Sequence, residues 1–479
     1  MTLKLFNTFT REKEEFKPIE EGKVRIYSCG QTIYDDLHIG NANTYAYWDI
    51  LARYLEWKGY DVFHIQNITD VGHLTDDRDQ GEDKVEKRAK EKGLEPMVLV
   101  EDQIKRYYED MDALNIRRHD INPRATQHIH EMIEAVQKIL DNGYAYERNG
   151  SVYFDVMKFH KDHGYATMSG MDIDQLKTDA SGRVGDEVEE KKSPLDFALW
   201  IKADPEHIMK WNSPWSVGYP GWHLECSVMS TKYLGEPFDI HTGGVDHIFP
   251  HHPNERAQNY GIYDKEEESV HYWMHAEFIN IEGEKMSKSK GNFFTVRELV
   301  KEFDGEVIRY YIASSHYRKQ VDFSKERLKS AKEELDKFYN TLNKIASAEG
   351  GSETSLKEEI EEAKRKFEEA MDDDLDTPKA LNILHRFRKE VNKSLDNEKV
   401  LLEEAKDLII ELGGILGLTL SEKREKGENT EELVDMIVEV REKLREKGEY
   451  ELSDEIREKL RKVGVEVQDT EDGIKWNFK

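Results

Sequence analysis

The run from Lys23 to Asp70 restricts the possible folds more than any other part of the chain. VRIYSCG reads as a short apolar strand ending in Cys-Gly, ANTYAYWDILARYLEW has helical periodicity up to Gly59, and DVFHIQNITD reads as a second strand. Strand, loop, helix and strand within about 45 residues make a βαβ unit, with parallel strands and a right-handed crossover. Ligands of such a sheet sit outside the carboxyl ends of its strands. Cys29, the loop around His38 and Thr69-Asp70 all fall at such ends.

Further along, Gly81 to Leu114 is highly charged and helical, Thr126 to Asp141 reads as another helix, and AYERNGSVYFDV is strand-like. Gly164 to Pro194 is polar and resembles an insertion. Apolar character returns at FALWIK, and GWHLECSVMSTKYLG followed by FDIHTGGVDHIFPHH reads as helix, strand and glycine-containing turn into another helix, the second half of the same sheet. From Lys325 long amphipathic helices dominate, broken by SAEGGSETS at 347–355 and SEKREKGENT at 421–430, the two expected linkers.

Composition removes several function classes. Lys plus Arg is 70 against 99 for Asp plus Glu, a net charge of −29, which excludes indiscriminate binding to nucleic acid or an anionic membrane. A specific polyanion must therefore meet a local basic strip. No apolar run is long enough to span a bilayer, and MTLKLFNTFTREKEEF lacks the apolar core of a signal peptide, so a soluble, intracellular chain is expected. With 2 cysteines there is no disulfide framework.

Each cysteine has a distinctive setting, Cys29 at a strand end and Cys226 in GWHLEC on a helix. In PHHPNE, His251 and Glu255 are spaced to share one helix face and converge on one ion. Cys29, Cys226, His251 and Glu255 make a plausible zinc set. The same residues also read as two small buried hydrophobes and a helix-surface pair. His223, His241, His247, His252, His271 and His275 crowd the region, mostly as ordinary polar or core histidines. His252, next to His251, projects about 100° away on a helix and is less suited to share a site with Glu255.

Neither GxGxxG nor GxxxxGK[ST] occurs, so phosphates must be handled in another way. DLHIGNANTY places His38, Gly40 and Asn41 at the entrance of a helix, where backbone N–H groups favour an anion. EKMSKSKGN offers Lys285, Lys288 and Lys290 between small hydroxyl residues, a composition suited to clamping polyphosphate and equally that of a solvated basic loop. HTGGVD adds Gly243, Gly244 and Asp246, suited to contacting adenine and accepting from ribose hydroxyls, or forming a simple turn.

HIGN early and KMSKS late are together the signature of class I aminoacyl-tRNA synthetases. Within that class the chain resembles the cysteinyl-tRNA synthetase family through YSCGQTIYDDLHIGNA, NITDVG, GWHLECS, FDIHTGGVDHIFPHHPNE, EKMSKSKGNFFTV and DEIREKLRKVGVEVQDTEDGIKW, a likeness running from about residue 3 to residue 476. The resemblance implies an α/β fold: a Rossmann-like parallel-sheet catalytic domain split by an inserted subdomain, then an α-helical bundle and a small C-terminal anticodon-recognition domain. Its implied boundaries are 1–125 and 213–284 for the two catalytic halves, 126–212 for the insertion, 285–325 for the signature loop and stem-contact region, 326–420 for the bundle and 430–479 for the anticodon domain.

The resemblance further implies one Zn2+ per chain on Cys29, Cys226, His251 and Glu255, binding the substrate thiolate, which suits zinc's preference for soft sulfur over a serine hydroxyl. It implies ATP with Mg2+, L-cysteine and tRNA-Cys as partners, in a cytoplasmic monomer that binds neither membrane nor DNA. His38, Asn41, Lys285 and Lys288 are expected to stabilise the transition state of adenylate formation, with Gly40, Gly243, Gly244 and Asp246 also at ATP and Thr69 and Trp222 at cysteine. The family's second signature histidine is Asn41 here, an amide that donates a hydrogen bond but cannot become charged, and a frequent arginine is Asn43. Arg445, Asp454 and Asp469 align with anticodon-reading positions, with Trp476 a stacking platform. The tail from Ser421 has 18 acidic against 13 basic residues, so its phosphate contacts fall to a few placed cations. A cysteine ligase acting on an amino sugar is the alternative enzyme, and a catalytically dead RNA-binding relative the non-enzymatic one; intact signature loops and the residues after 430 disfavour both.

Overall fold

Four parallel strands carry the site. In the computed structural model, which describes residues 2–71, 83–181, 191–265, 267–281, 283–285, 293–420, 430–463, 465–470 and 473–478, they stand in the order Val270–Ala276, Phe238–Gly244, Lys23–Ser28, Asp61–Gln66. Helix Ile39–Trp57 joins the last two strands and helix His251–Tyr263 the first two. The chain thus steps outward in opposite directions from the central pair, and the loops leaving those strands diverge. The crevice between them is where an open α/β sheet takes its ligand.

Both faces of the sheet are covered, as the apolar strands require. Val24 and Ile26 join the core that holds helix Ile39–Trp57, whereas Tyr27 joins the core of helices Leu224–Leu234 and His251–Tyr263. The period of two along one strand therefore feeds two cores.

The insertion is a five-stranded antiparallel sheet, ordered Ala145–Arg148, Ser151–Phe154, Phe197–Lys202, Val217–Pro220, Trp211–Asn212. Asn149 and Gly150, with φ of 54° and 87°, form the tight turn of its first hairpin. Pairing of Trp200 with Pro220 and Ile201 with Tyr219 carries this sheet past the boundary expected at 212. A 4-residue strand ending in proline leaves too little apolar pattern to be seen in the sequence.

The segment 347–355 is not a linker between domains. It connects helices Lys325–Ser347 and Leu356–Met371 inside one unit spanning 1–420, with Gly351 N–H donating to Asn397 O at 2.8 Å and Leu356 N–H to Asn397 Oδ1 at 3.0 Å. The other expected linker begins at the boundary of the second unit, 421–479, and all but its last residue lies outside the described residues. That unit has helices Thr430–Glu446 and Tyr450–Lys462 and the hairpin Val465–Thr470 with Gly473–Phe478, around Val434, Val438, Leu460, Val465 and Val467. Among the described residues no helix is long and apolar enough to cross a membrane.

One buried ion pair ties the first parallel crossover to the helical bundle. Arg309, fully buried, donates to Asp49 Oδ2 at 2.6 Å and to Leu416 O at 2.9 Å. Burial would raise the Asp49 carboxyl, but Arg309, Arg53 and Arg117 beside it hold it below its ordinary value. Asp49→Asn leaves that guanidinium uncompensated and is expected to destabilise the first unit by about 3–5 kcal/mol. Urea unfolding reads this as an earlier midpoint; a change under about 1 kcal/mol contradicts the pairing.

Candidate active site

A cleft of about 470 Å³ opens at the carboxyl ends of three of the four strands, with Cys29 to Thr32, Gly244 and Ala276 to Ile279 on its wall. Gly30 is required at its floor: its N–H donates to Asn67 Oδ1 at 2.7 Å, and a Cβ there would stand 1.8 Å from Asn67 O.

Helix Ile39–Trp57 aims its N-terminus into this cleft. His38, in extended conformation, caps it by accepting the Asn41 N–H on Nδ1 at 3.2 Å. Gly40 and Asn41 also line the cleft, and no acidic residue occupies the first turn. Backbone donors and helix dipole thus favour an anion here. The chain following the lysine-rich loop returns to the same place, since Ile39 N–H donates to Phe294 O at 3.0 Å and Val296 N–H to Leu37 O at 2.8 Å. The His38 and Phe293 rings meet edge-on at 5.4 Å.

Next to the nucleotide-like part lies a buried cluster of metal-ligating side chains. Cys29 follows strand Lys23–Ser28, Cys226 sits in helix Leu224–Leu234, and His251 and Glu255 share the first two turns of helix His251–Tyr263. Cys29 Sγ is 3.8 Å from Cys226 Sγ and 3.6 Å from Glu255 Oε1, while His251 Nε2 is 3.0 Å from Glu255 Oε1. Two thiolates about 2.3 Å from one tetrahedral ion would stand about 3.8 Å apart, so the sulfur pair fits a metal without rearrangement.

The electrostatics fit as well. Burial and neighbouring Cys226 push the Cys29 thiol up, whereas the hydrogen bond from Cys29 lowers Cys226. Burial would raise Glu255, yet His241 and His251 hold it below the usual carboxylate range. Burial alone would lower His251, but Glu255 and Cys226 raise it to about 10. Negative charge on Glu255 is thus balanced by a proton on His251, which a divalent cation can replace.

A second donor set, Cys29, His241, His252 and Glu255, also converges. His252 is therefore not turned away from Glu255 as helix geometry suggested. Its Nε2 lies 3.4 Å from Cys29 Sγ and 3.9 Å from Glu255 Oε1, because residues three apart on a helix still share a side of it. Its Nδ1 meets His275 Nε2 at 2.8 Å, and His241 Nε2 meets Glu255 Oε2 at 2.8 Å. These contacts orient the carboxylate and close the site from behind. The set with both thiols is the softer and suits zinc better.

His223, an ordinary histidine by sequence, meets His251 Nδ1 through its own Nδ1 at 2.8 Å and so turns His251 Nε2 toward the cluster. Its replacement by leucine is expected to weaken metal binding roughly 10–100-fold. Competition with a chelator measures this, and an unchanged affinity would remove His223 from the site.

Of the other expected residues, Trp222 lines the cleft with its ring 4.8 Å from that of His251, and Gly244 and Asp246 line it too. Gly243 does not; a Cβ there would stand 2.5 Å from His247 Nδ1, so this glycine makes room for the histidine cluster. Thr69 is buried, absent from the wall, and donates to Glu225 Oε2 at 2.8 Å. The Lys285 backbone pairs with Asn280, but its side chain and all of Lys288 lie outside the described residues. Asn43 is buried and donates to Glu277 O at 3.4 Å. Sequence reading missed Gln31, Asp35, Asp36 and Lys84 on the wall, whose only signal was proximity to the motifs.

In the second unit Arg445 and Asp454 lie on the two helices and Asp469 on the hairpin, its side chain outside the described ones. Trp476 is not a free platform: it packs against the small core and its Nε1 donates to Asp435 Oδ1 at 2.7 Å.

Comparison with known proteins gives concordant results. The family described as tRNA synthetases class I (C) catalytic domain matches residues 15–333, and the DALR domain matches 366–421, within the helical bundle. The chain is 45% identical to the cysteine–tRNA ligase of Thermococcus gammatolerans, over 99% of each, and 44% identical to that of Pyrococcus horikoshii, over 98% of each. The cysteine–tRNA ligase of Deinococcus radiodurans is 43% identical over 98% of this chain and 96% of its own. Among solved structures, Mycobacterium tuberculosis methionyl-tRNA synthetase in complex with methionyl-adenylate superposes with a TM-score of 0.59 at 14% identity, covering 87% of this chain and 94% of that one, a likeness of fold.

Proposed function

The chain belongs to the cysteine–tRNA ligase family of class I aminoacyl-tRNA synthetases, and from that premise we propose how its own residues activate L-cysteine with ATP and pass it to the 3'-terminal adenosine of tRNA-Cys. The observation that carries the reading is Cys29, which belongs to the cleft wall and to the buried donor cluster at once. A substrate held in the cleft thereby reaches the cluster.

In this reading Cys29, Cys226, His251 and Glu255 hold one zinc ion. When bound, such an ion would supply a soft Lewis acid that favours a thiolate over a serine hydroxyl, which is harder and stays protonated. Trp222 closes the cysteine pocket, and Thr69 positions it through Glu225. The cysteine carboxylate attacks the α-phosphate of ATP, releasing pyrophosphate and forming cysteinyl-adenylate. His38, Gly40 and Asn41 receive the phosphates at the helix N-terminus, with Gly244 and Asp246 around the adenosine and Gly243 behind them, making room for His247. Lys285, Lys288 and the Mg2+ carried by ATP offset the charge that builds on the departing phosphates. Asn41 contributes through a neutral hydrogen bond alone.

The 3'-terminal ribose of the tRNA then takes the acyl group from the adenylate. Arg445, Asp454 and Asp469 read the anticodon from the second unit, and Trp476 supports that surface through its bond to Asp435. The reading includes a cytoplasmic monomer without membrane or DNA partners. An amino-sugar acceptor finds no support in relatives that match over 96% or more of their own length.

Charging of unfractionated tRNA with labelled cysteine, ATP and magnesium tests the reading. Cysteine-dependent charging of a single isoacceptor family is the expected result. Cysteine-dependent ATP–pyrophosphate exchange with no tRNA charged would refute the acceptor and keep the activation step.

A further inference from the structure

Outside the active site one more set of donors converges among the described residues. Helix Lys84–Lys92 starts from Asp83, whose Oδ1 accepts the N–H groups of Val85 at 2.7 Å and Glu86 at 2.9 Å. Its Oδ2 has no hydrogen-bond partner, although Asp83 is only 4% exposed. From the insertion comes His207, whose Nε2, also buried and without a hydrogen bond, stands 3.7 Å from Asp83 Oδ2 and 3.8 Å from Glu86 Oε1.

Each of the three side chains is fixed by a separate contact. Glu86 Oε1 accepts the Ile208 and Met209 N–H groups at 2.7 and 3.0 Å. The His207 ring lies flat on Tyr219, centroids 4.4 Å apart at 15°. What remains facing inward is one imidazole nitrogen and two carboxylates, their ligand atoms all within 4.8 Å of one another.

The spacing decides between an ion pair and a metal. A protonated His207 would draw one carboxylate to hydrogen-bond distance, but 3.7 and 3.8 Å are too long for that. Two ligands of one tetrahedral ion, each about 2.1 Å from it, stand about 3.4 Å apart, so His207 comes within a few tenths of an ångström of that spacing to both carboxylates. A desolvated carboxylate oxygen with no partner is otherwise costly to bury.

We propose that Asp83, Glu86 and His207 bind a second divalent ion of the zinc type, which clips helix Lys84–Lys92 to the inserted subdomain. Imidazole with two carboxylates is an ordinary donor set for such an ion. The clip acts on the cleft, because Lys84, the next residue, lines it and places Nζ 5.7 Å over the Trp222 ring. The site is therefore structural, holding one wall of the cysteine pocket from behind.

Cobalt binding to the full chain, stripped of metal and reloaded with Co2+, tests the proposal. Two equivalents per chain are expected. One carries the sulfur-to-cobalt charge-transfer band of the Cys29 and Cys226 site, and the other shows ligand-field bands alone. His207→Gln loses the sulfur-free equivalent and keeps the charge-transfer band. Asp83→Asn does the same while its remaining carbonyl oxygen still caps the helix. Cys226→Ser removes the charge-transfer band and leaves the sulfur-free equivalent bound, so failure at one site is distinguishable from failure at the other. A wild-type chain with no sulfur-free equivalent, or retention of that equivalent by both variants, overturns the proposal.

Discussion

Cys226→Ser is expected to release the active-site metal and, with it, the preference for cysteine over serine. Cys226 is 3% exposed and 3.8 Å from Cys29, so the substitution leaves one sulfur among harder donors, and a serine hydroxyl at that position stays protonated. Loss of a direct ligand should exceed the roughly 10–100-fold drop in affinity caused by losing an outer partner such as His223. Specificity falls in parallel. A site that bonds one group of its substrate rejects the analogue lacking it by about 10⁴–10⁵, whereas an apolar pocket reaches only about 10². Metal analysis of the purified variant, alongside adenylation rates for both amino acids, measures the two effects together. A variant that keeps one metal per chain at this site overturns the ligand assignment.

Lys288→Ala should slow adenylate formation by about 10²–10³ while leaving cysteine binding nearly unchanged. Charge accumulates on the leaving phosphates only as the α-phosphate is attacked, so a lysine that meets it there lowers the barrier without holding the ground state more tightly. The chain flanking the loop supports the assignment. Lys285 pairs with Asn280 on one side, and on the other Phe293 lines the cleft beside His38. Pyrophosphate exchange gives the rate, and equilibrium dialysis of labelled cysteine gives the binding. An unchanged rate would remove Lys288 from the mechanism.

What could be read from the sequence follows from the range of the interactions concerned. The βαβ unit from Lys23 was legible because strand and helix periodicities are local, and the crevice followed from the rule for open parallel sheets. Val217–Pro220 was not, since its place is decided by pairing with Phe197–Lys202 and little in its own composition marks it. Nor was the role of 347–355, whose glycines read as a linker until Asn397 was seen to pin them.

The same contrast holds at the site. Residue types and helix spacing nominated Cys29, Cys226, His251 and Glu255, yet they could not rank the surrounding histidines. His252 joins the cluster because it stands three residues before Glu255 on the helix and meets Cys29 from another element, and His223 matters because it faces a ring on a different helix. Gly243 looked like a nucleotide contact and instead makes room for His247. The Asp83, Glu86 and His207 set was invisible for the same reason: nothing in either segment announces that the insertion lays a histidine beside a helix cap.

The most direct test of the central claim, that a metal held by the Cys29 cluster selects the substrate, is the ratio of cysteine to serine adenylation before and after the metal is removed. The metal-loaded chain should activate cysteine and leave serine untouched, with the ratio collapsing in the stripped chain and returning when zinc is restored. A stripped chain that still favours cysteine as strongly would contradict the claim.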